Sequence, residues 1–232
     1  FCPRSDTPII YRTIDSWYVS VEPMRQALGD VNQDINWVPG HIQAGRMGNW
    51  LEGAVDWAIS RNRYWGTPLP IWINDETGAT QCIGSREELR ELTGVMVDDL
   101  HREHVDDLAF TKEGEPGTYR RIPEVLDCWF ESGSMPYAQL HFPFENEEVF
   151  NEGFPAEFIS EALDQTRGWF YTLIVLGSAL YGKPAFKNVI VAGLVMAEDG
   201  KKMSKSLRNY TPPDDLMETF GADALRLYLI NS

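Results

Sequence analysis

A short basic loop in the last part of the sequence carries the most distinctive set of reactive side chains. Lys201, Lys202 and Lys205 lie close together, Ser204 precedes the third lysine, and Arg208 follows. Ammonium groups can neutralise the charge that builds on a departing pyrophosphate, while hydroxyls and backbone N–H groups donate hydrogen bonds to its oxygens. These residue types predict a loop that wraps a polyphosphate. The alternative is a lysine-rich turn that only faces water, as most charge runs do.

A second group of polar and aromatic side chains lies earlier, at Glu161, Asp164, Gln165 and Trp169. If the chain becomes helical at Glu161, these positions share one face. That face would offer an anion for an ammonium group, a polar group for a carboxylate and an apolar wall. Trp129 could close the opposite wall, so this group could provide the three kinds of contact that an amino acid needs. The alternative is that the acids favour a helix N-terminus and that the tryptophans fill the core.

The elements that must position these residues follow an alternating pattern in the second half of the chain. Strand-like runs at 125–130, 157–160 and 187–196 alternate with a long amphipathic helix that ends at Tyr181, and a last helix covers 213–230. Strands that alternate with helices of this length predict βαβ crossovers and a parallel sheet. Open sheets of this kind bind ligands at the carboxyl ends of their strands. The predicted fold class is α/β.

The first half of the chain is punctuated by proline and glycine. Apolar runs at 9–11, 17–21 and 70–73 predict short strands and turns rather than long helices. Residues 84–119 are rich in charge and predict a small, solvated, mostly helical or irregular insertion. The predicted organisation has a first segment at 1–49, a connecting segment at 50–124 that holds the insertion, and a third segment at 125–232 that holds the basic loop.

Charge and cysteine content narrow the classes of protein that fit this sequence. The chain has 35 acidic and 20 basic residues, a net charge of −15, which argues against a domain that grips nucleic acid through a broad positive field. Hydrophobic residues make up 43% of the sequence, enough to bury a core. Cys2, Cys82 and Cys128 are too widely spaced for a disulfide framework or a C-x-x-C zinc site. A reducing, cytoplasmic environment is therefore expected.

The hydrophobic pattern predicts neither a membrane span nor a targeting peptide. The longest apolar stretch, 169–181, is shorter than the roughly 20 residues that a bilayer helix needs. The sequence opens at Phe1 without a methionine and without a charged-then-apolar leader, so a truncated start is expected.

Four sequence blocks resemble the isoleucyl-tRNA synthetase family of class I aminoacyl-tRNA synthetases. Residues 202–206 read KMSKS, the signature loop of that class. The other blocks are SRNRYWGTPLP at 60–70, DCWFESGSMP at 127–136 and DQTRGWF at 164–170, in matching order and spacing. The last two look isoleucyl rather than valyl or leucyl, although a valyl or leucyl relative stays an alternative. The resemblance covers nearly the whole chain and implies the C-terminal part of a catalytic core, the second half of a Rossmann-like nucleotide-binding fold.

By that resemblance, the chain takes part in ATP-dependent activation of isoleucine, with Mg²⁺ accompanying ATP, and in transfer of isoleucine to tRNA(Ile). The resemblance makes Lys202 and Lys205 the catalytic residues, and Ser204 joins them in binding ATP. Backbone groups around Val195 and Met196 would hold adenine. No protein-bound zinc or other metal is predicted.

The resemblance also assigns the amino-acid side of the site. Glu161 would bind the aminoacyl-adenylate through its ribose or its ammonium group, and Asp164 and Gln165 would contact the amino acid. Trp129 and Trp169 would form the walls around the isoleucine side chain. Transfer RNA is expected to meet local basic patches, namely the KMSKS loop and two arginines, Arg61 and Arg63.

Three family features are missing or altered. The histidine motif HIGH is absent, and 39–45 contains only His41, so the N-terminal catalytic half, the editing domain and the anticodon-binding domain are expected outside this sequence. Ala162 stands where the family has glycine, which could crowd the adenylate. The missing half leaves a second hypothesis open, a non-catalytic nucleotide-binding or partner-binding fragment.

A pair of histidines could imitate a metal site. His101 and His104 are spaced i, i+3 among aspartates. Zinc usually recruits thiolates or a defined third ligand, so this spacing favours a solvated helix face.

Overall fold

A computed structural model describes residues 1–2, 5–197, 200–203 and 208–231. The strands are β1 Tyr18–Val19, β2 Asn36–Val38, β3 Trp57–Ala58, β4 Ser60–Arg61, β5 Ile71–Asn74, β6 Thr80–Cys82, β7 Ala109–Phe110, β8 Tyr119–Arg121, β9 Val125–Leu126, β10 Ala156–Ala162 and β11 Phe186–Ala192. The helices are α1 Arg25–Gln33, α2 Gly48–Glu52, α3 Arg86–Thr93, α4 Arg102–Val105, α5 Cys128–Gly133, α6 Met135–Ala138, α7 Glu147–Gly153, α8 Trp169–Tyr181, α9 Pro213–Phe220 and α10 Ala222–Asn231. Short 3₁₀ helices cover Glu22–Met24 and Leu163–Arg167, and a π-helical turn covers Gln43–Met47.

A three-stranded parallel sheet has the strand order β10-β11-β2. It joins two strands from the second half of the chain to one strand from the first half. Ile159 of β10 pairs with Val189 of β11, which pairs in turn with Trp37 of β2, and all three side chains are buried. The predicted parallel sheet and α/β class are therefore confirmed. Because the strands are parallel, the segments after β10, β11 and β2 leave the sheet at one common edge.

Helix α8 crosses from β10 to β11, and its surroundings differ from the prediction. The sequence predicted an amphipathic helix, yet every residue from Phe170 to Ser178 is buried. The helix lies against α1 and α5 as well as the 3₁₀ helix before it, so it has no wide polar face. It ends at Gly182, whose φ of +64° suits glycine.

The core beneath the sheet is built around aromatic rings. Trp37 meets Phe170 and Phe186 edge to face, with ring centroids 5.8 and 6.3 Å apart. Such geometry aligns the positive edge of one ring with the negative face of another. The same core includes Ile174 and Val189, so α8 and the sheet form one packed unit.

The charged insertion is more ordered than its composition predicts. Strands β6-β5-β8-β7 form an antiparallel sheet, and α3 and α4 accompany it. The sheet and helices enclose a separate core with seven buried members, Trp72, Ile83, Leu89, Val97, Val105, Phe110 and Tyr119. The helical part of the prediction is correct, but the sheet was missed because its strands are short and pair across the insertion.

Arg121 fastens this antiparallel unit to the chain around it. Its guanidinium is 1% exposed, pairs with Asp106 and donates to the carbonyl oxygen of Glu124 at 3.0 Å. A further contact reaches the carbonyl oxygen of Leu69. Burial lowers the pKa of Arg121, and the contacts with Asp106 and the two carbonyl oxygens compensate for the loss of water around its charge.

Several predicted boundaries are wrong in detail. No strand forms at 9–11, the run at 17–21 is a strand only at β1, and the run at 70–73 becomes β5. The run at 125–130 is a strand only as far as Leu126, and β11 ends at Ala192. The last helix is two helices, because Gly221 adopts a φ of +87° between α9 and α10. The three-segment division at 1–49, 50–124 and 125–232 stays a prediction.

Within the described ranges, no helix is both long enough and apolar enough to cross a bilayer.

Candidate active site

Several of the predicted site residues lie at or just after the carboxyl edge of the parallel sheet. Glu161 and Ala162 end β10, where they pair with Val191 and Ala192 of β11. The 3₁₀ helix Leu163–Arg167 follows β10, and the segment with Val195 and Met196 follows β11. This is the edge at which open α/β sheets bind ligands.

The predicted single helix face does not exist. Glu161 is extended within β10, Gln165 lies in the 3₁₀ helix, and Trp169 is the first residue of α8. Pairing with β11 keeps the chain extended through Ala162, so the i, i+4, i+8 relation cannot hold. Glu161 and Asp164 both have exposed side chains.

Three of the four predicted amino-acid contacts nevertheless meet, around the backbone of Gly168. The Gln165 Oε1 atom accepts a hydrogen bond from the Trp169 backbone N–H at 2.9 Å. A Cβ placed on Gly168 would lie 2.8 Å from that Oε1 and 3.0 Å from Cη2 of the Trp129 ring. Trp169 donates its indole N–H to the Ser132 carbonyl oxygen at 2.9 Å. Two indoles and an amide therefore share one small region; Asp164 has no described contact in it.

Trp129 lies in α5 rather than at the end of a strand. The residue is 39% exposed, so part of its ring faces solvent. Helix α5 packs closely on α8 because Gly133 leaves room for Thr172 and Leu176, whose side-chain atoms would lie only 3.0 and 2.9 Å from a Cβ at that position. This packing orients the Trp129 ring toward the start of α8.

A buried carboxylate supports the beginning of α5. Asp127 is 3% exposed, accepts a hydrogen bond from the Trp57 indole N–H at 3.0 Å and forms an ion pair with Arg61 Nη2 at 3.2 Å. Arg61 also donates to the carbonyl oxygens of Ala58 and Ser60. The Arg61 side chain, predicted as a basic patch for tRNA, is thus largely occupied, whereas Arg63 is exposed.

The described residues on either side of 198–199 lie close together where the chain enters the basic loop. Met196 and Lys202 form an antiparallel bridge, and the Ala197 N–H donates to the Lys201 carbonyl oxygen at 2.8 Å. Gly200 adopts a φ of +74°, which favours glycine. Lys202 is therefore held by its bridge to Met196, with its side chain exposed.

Ser204 and Lys205, which are predicted to bind ATP, lie outside the described residues. Val195 and Met196 are 44% and 49% exposed. A cavity of about 600 Å³ adjoins these two residues, lined mainly by their apolar side chains and those of α9 and α10. A second cavity, of about 310 Å³, lies at the antiparallel unit, away from the predicted site residues.

His101 and His104, the pair that could imitate a metal site, both lie close to Asp99. His101 Nδ1 lies 2.6 Å from Asp99 Oδ1, and His104 Nε2 lies 3.6 Å from Asp99 Oδ2. Hydrogen bonds from the His101 backbone and ring lower the pKa of Asp99. The His101 ring stacks on Trp65 with centroids 4.3 Å apart. Across the described ranges, no three or more His, Cys, Asp or Glu side chains group in a way that could hold a metal ion.

Sequence reasoning missed two residues that shape this site. Gly168 permits the close approach of Trp129 and Gln165. The sequence feature that could have revealed it is a glycine between residues that are predicted to contact the ligand. Asp127 fixes the start of α5 by its contacts with Trp57 and Arg61. The sequence feature that could have revealed it is an acidic residue directly after the two apolar residues of β9.

Comparisons with known proteins agree with the motif blocks. A family model described as "tRNA synthetases class I (I, L, M and V)" matches residues 6–232. Isoleucine–tRNA ligase of Treponema denticola is 62% identical over 231 residues, 100% of this chain and 21% of that protein. The Protochlamydia amoebophila isoleucine–tRNA ligase is 60% identical over 100% of this chain and 22% of its own length. A cytoplasmic isoleucine–tRNA ligase of Arabidopsis thaliana is 58% identical over 100% of this chain and 20% of its own length. The chain thus spans about a fifth of the length of these curated relatives.

Solved structures share the fold at lower identity. Methionyl-tRNA synthetase of Mycobacterium tuberculosis, bound by methionyl-adenylate, superposes with a TM-score of 0.59 and 19% identity, over 97% of this chain and 35% of that chain. The agnB2 LeuRS of Agrobacterium radiobacter K84, in a ternary complex with tRNA and LeuAMS, gives 0.55 and 24% over 83% of this chain and 27% of that chain. The family model covers nearly the whole sequence and the relatives match it throughout; the chain belongs to the class I tRNA synthetases (I, L, M and V).

Proposed function

We propose that this chain supplies part of the catalytic core of an isoleucine–tRNA ligase. The observation that carries the proposal is the 58–62% identity to proteins of that name along its entire length. The reaction is ATP-dependent formation of isoleucyl-adenylate and transfer of isoleucine to tRNA(Ile). The reaction takes place in the cytoplasm, where tRNA is charged for protein synthesis.

In the first step, an oxygen of the isoleucine carboxylate bonds to the α-phosphorus of ATP, and the bond from that phosphorus to the bridging oxygen breaks. Pyrophosphate leaves with the bond electrons. Lys202 and Lys205 neutralise the charge on the departing group, and Ser204 donates a hydrogen bond to it. Val195 and Met196 hold adenine through their backbone groups. Positioning and charge neutralisation carry the catalysis, without a covalent enzyme intermediate.

The residues around Gly168 hold the amino acid in this proposal. Because Gln165 Oε1 already accepts the Trp169 N–H, its amide nitrogen is left to donate to the isoleucine carboxylate. Trp129 and Trp169 enclose the branched side chain. Glu161 binds the ribose or the ammonium group of the adenylate.

Asp164 completes the amino-acid contacts through its exposed carboxylate. Mg²⁺ enters with ATP and is held mainly by its phosphates, as is usual for this ion.

A chimera tests the function directly. The 231-residue stretch of the Treponema denticola relative that matches this chain is replaced by this chain. We expect the chimera to catalyse isoleucine-dependent exchange between pyrophosphate and ATP and to charge tRNA(Ile), whereas the isolated chain shows little activity. One methylene is worth roughly a 10–200-fold preference, so exchange with valine should be weaker by a factor in that range.

Three outcomes of this assay contradict the proposal. Exchange that depends on valine or leucine instead of isoleucine would support a relative with another amino acid. A chimera that folds but catalyses no exchange would support a non-catalytic fragment. Full activity of the isolated chain would contradict a catalytic site shared with another part of the protein.

The Ala162→Gly variant tests the one altered motif position. Ala162 has a φ of −76° and a ψ of 163°, which alanine adopts without strain, so only the methyl group distinguishes it from glycine. We expect the variant chimera to bind a non-hydrolysable isoleucyl-adenylate analogue equally well or up to about tenfold more tightly, about 1.4 kcal/mol. Calorimetry measures this affinity. A clear loss would show that Ala162 does not border the adenylate.

A further inference from the structure

Arg46 and Arg167 form a pair of exposed guanidinium groups close to the candidate site. Arg46 lies in the π-helical turn after β2, and Arg167 ends the 3₁₀ helix after β10. Arg46 Nε donates to Thr166 Oγ1 at 2.7 Å, and Arg167 Nη1 donates to the Arg46 carbonyl oxygen at 3.1 Å. The Arg167 guanidinium also lies over the Trp50 ring, 4.0 Å from its centroid. Both side chains are therefore anchored at defined atoms. We call them the arginine pair.

The arginine pair has hydrogen-bond donors, but no carboxylate forms an ion pair with it among the described residues. Within the described ranges, all ion pairs involve other cations, so neither guanidinium is neutralised. Burial lowers the pKa of Arg167, and the charge of Arg46 lowers it further. The Trp50 Nε1 atom is buried and has no hydrogen-bond partner there. Two like charges held close together repel each other, and an anion that binds between them relieves that repulsion.

The free atoms of the arginine pair fit a phosphate group. The described bonds use Nε of Arg46 and one Nη of Arg167, which leaves both Nη groups of Arg46 and two nitrogens of Arg167. Guanidinium groups recognise phosphate through parallel, charge-assisted hydrogen bonds. We propose that the arginine pair binds a phosphodiester of the single-stranded acceptor end of tRNA.

This proposal rests on the proposed function and deepens it. Arg167 belongs to the same 3₁₀ helix as Gln165, so a phosphate bound there would hold the RNA end near the amino acid that it must receive. The phosphates of ATP are assigned to the KMSKS loop instead. Of the two arginines expected to contact tRNA, Arg61 is occupied by Asp127 and two carbonyl oxygens, whereas Arg63 is exposed. The arginine pair thus supplies local positive charge on a chain whose net charge is −15.

The test measures binding of two phosphate sources to the 232-residue chain. One probe is a short single-stranded RNA that ends in CCA, and the other is inorganic pyrophosphate. The variants are R46A/R167A, the uncharged but hydrogen-bonding R46Q/R167Q and the charge-preserving R46K/R167K. The control R12A/R90A removes the same charge from two exposed arginines elsewhere. Tryptophan fluorescence gives the affinities at several salt concentrations, and thermal unfolding identifies any variant that fails to fold.

We expect R46A/R167A and R46Q/R167Q to weaken RNA binding at least about tenfold, while R12A/R90A weakens it less than about twofold. The salt dependence should fall by roughly 0.7 in logarithmic slope for each phosphate that a variant no longer neutralises. R46K/R167K should recover only part of the affinity, because lysine cannot form the parallel bonds.

Equal losses in the control and the arginine-pair variants would overturn the site, as would unchanged RNA binding. If the arginine-pair variants lose pyrophosphate binding but keep RNA binding, the pair binds a free polyphosphate, and the proposal that it binds tRNA is wrong. If the alanine variant unfolds, the glutamine variant decides. The chimera separates this test from the proposed function: absence of isoleucine-dependent exchange in the unmodified chimera would refute that function and leave the RNA-binding result standing.

Discussion

Replacing Gly168 with alanine is expected to disrupt the amino-acid site more than any other single methyl group would. The new Cβ would lie 2.8 Å from Gln165 Oε1 and 3.0 and 3.2 Å from two Trp129 ring carbons. Both neighbours must move, because real Cβ atoms rarely tolerate such contacts. Overpacking of this kind costs about 1–3 kcal/mol. The displaced amide would also release the Trp169 N–H, to which it now binds at 2.9 Å.

The measurement combines stability and function. We expect Gly168→Ala to lower the free energy of unfolding of the chain by about 1–3 kcal/mol in urea titration. In the chimera, the KM for isoleucine in pyrophosphate exchange should rise by at least about tenfold, about 1.4 kcal/mol.

Gly29→Ala is the matched control for Gly168→Ala. Gly29 lies within α1 and has no heavy atom within 4 Å of its built Cβ, so alanine there should stabilise the chain by up to about 1 kcal/mol. If Gly168→Ala leaves both the stability and the KM unchanged, Trp129 and Gln165 do not meet at this backbone.

Removing the carboxylate of Asp127 is expected to give the largest loss of stability. Asp127→Ala would strand the Arg61 guanidinium and the Trp57 indole N–H, whose bonds to the carboxylate measure 3.2 and 3.0 Å. Breaking a fully buried pair costs about 3–5 kcal/mol. The Arg61 side chain is 37% exposed and can regain water, so about 2–3 kcal/mol is expected here. Urea titration of the chain measures this loss.

Two variants control the Asp127 experiment. Asp127→Asn keeps an acceptor for Trp57 but removes the charge that faces Arg61, so its stability should fall between those of the wild type and the alanine variant. Asp98→Ala removes a carboxylate that is 95% exposed and pairs with Arg86, and it should cost less than about 1 kcal/mol. Equal effects of Asp98→Ala and Asp127→Ala would show that Asp127 does not support α5.

Sequence predictions were correct where the structure depends on local patterns and wrong where it depends on pairing between residues far apart in the sequence. The alternation of strands and helices indicated a parallel sheet, because each strand and helix has its own local pattern, and β10 and β11 confirm it. The helix assumed at Glu161 was wrong, because pairing with Val191 across thirty residues keeps that position extended. The antiparallel unit was missed for the same reason: the pairing of β5 with β8 leaves no local periodicity.

For the site, the residue types were predictable and their geometry was not. The family resemblance assigns Gln165, Trp129 and Trp169 to the amino acid, and the structure brings these three residues together without the predicted helix face. Asp164 has no described contact with them. The roles of all these residues stay proposals that the chimera tests.

The sequence by itself determined the family through its ordered motif blocks, the α/β class through its alternating patterns and the acidic character through its composition. Only the tertiary structure decided that Gly168 is where two indoles and an amide meet, that Asp127 holds the start of α5, and that Arg46 and Arg167 stand together. The physical reason is that motifs and periodicity are properties of neighbouring residues. These three arrangements instead depend on close packing and hydrogen bonds between segments far apart in the chain, the widest joining residues 121 positions apart.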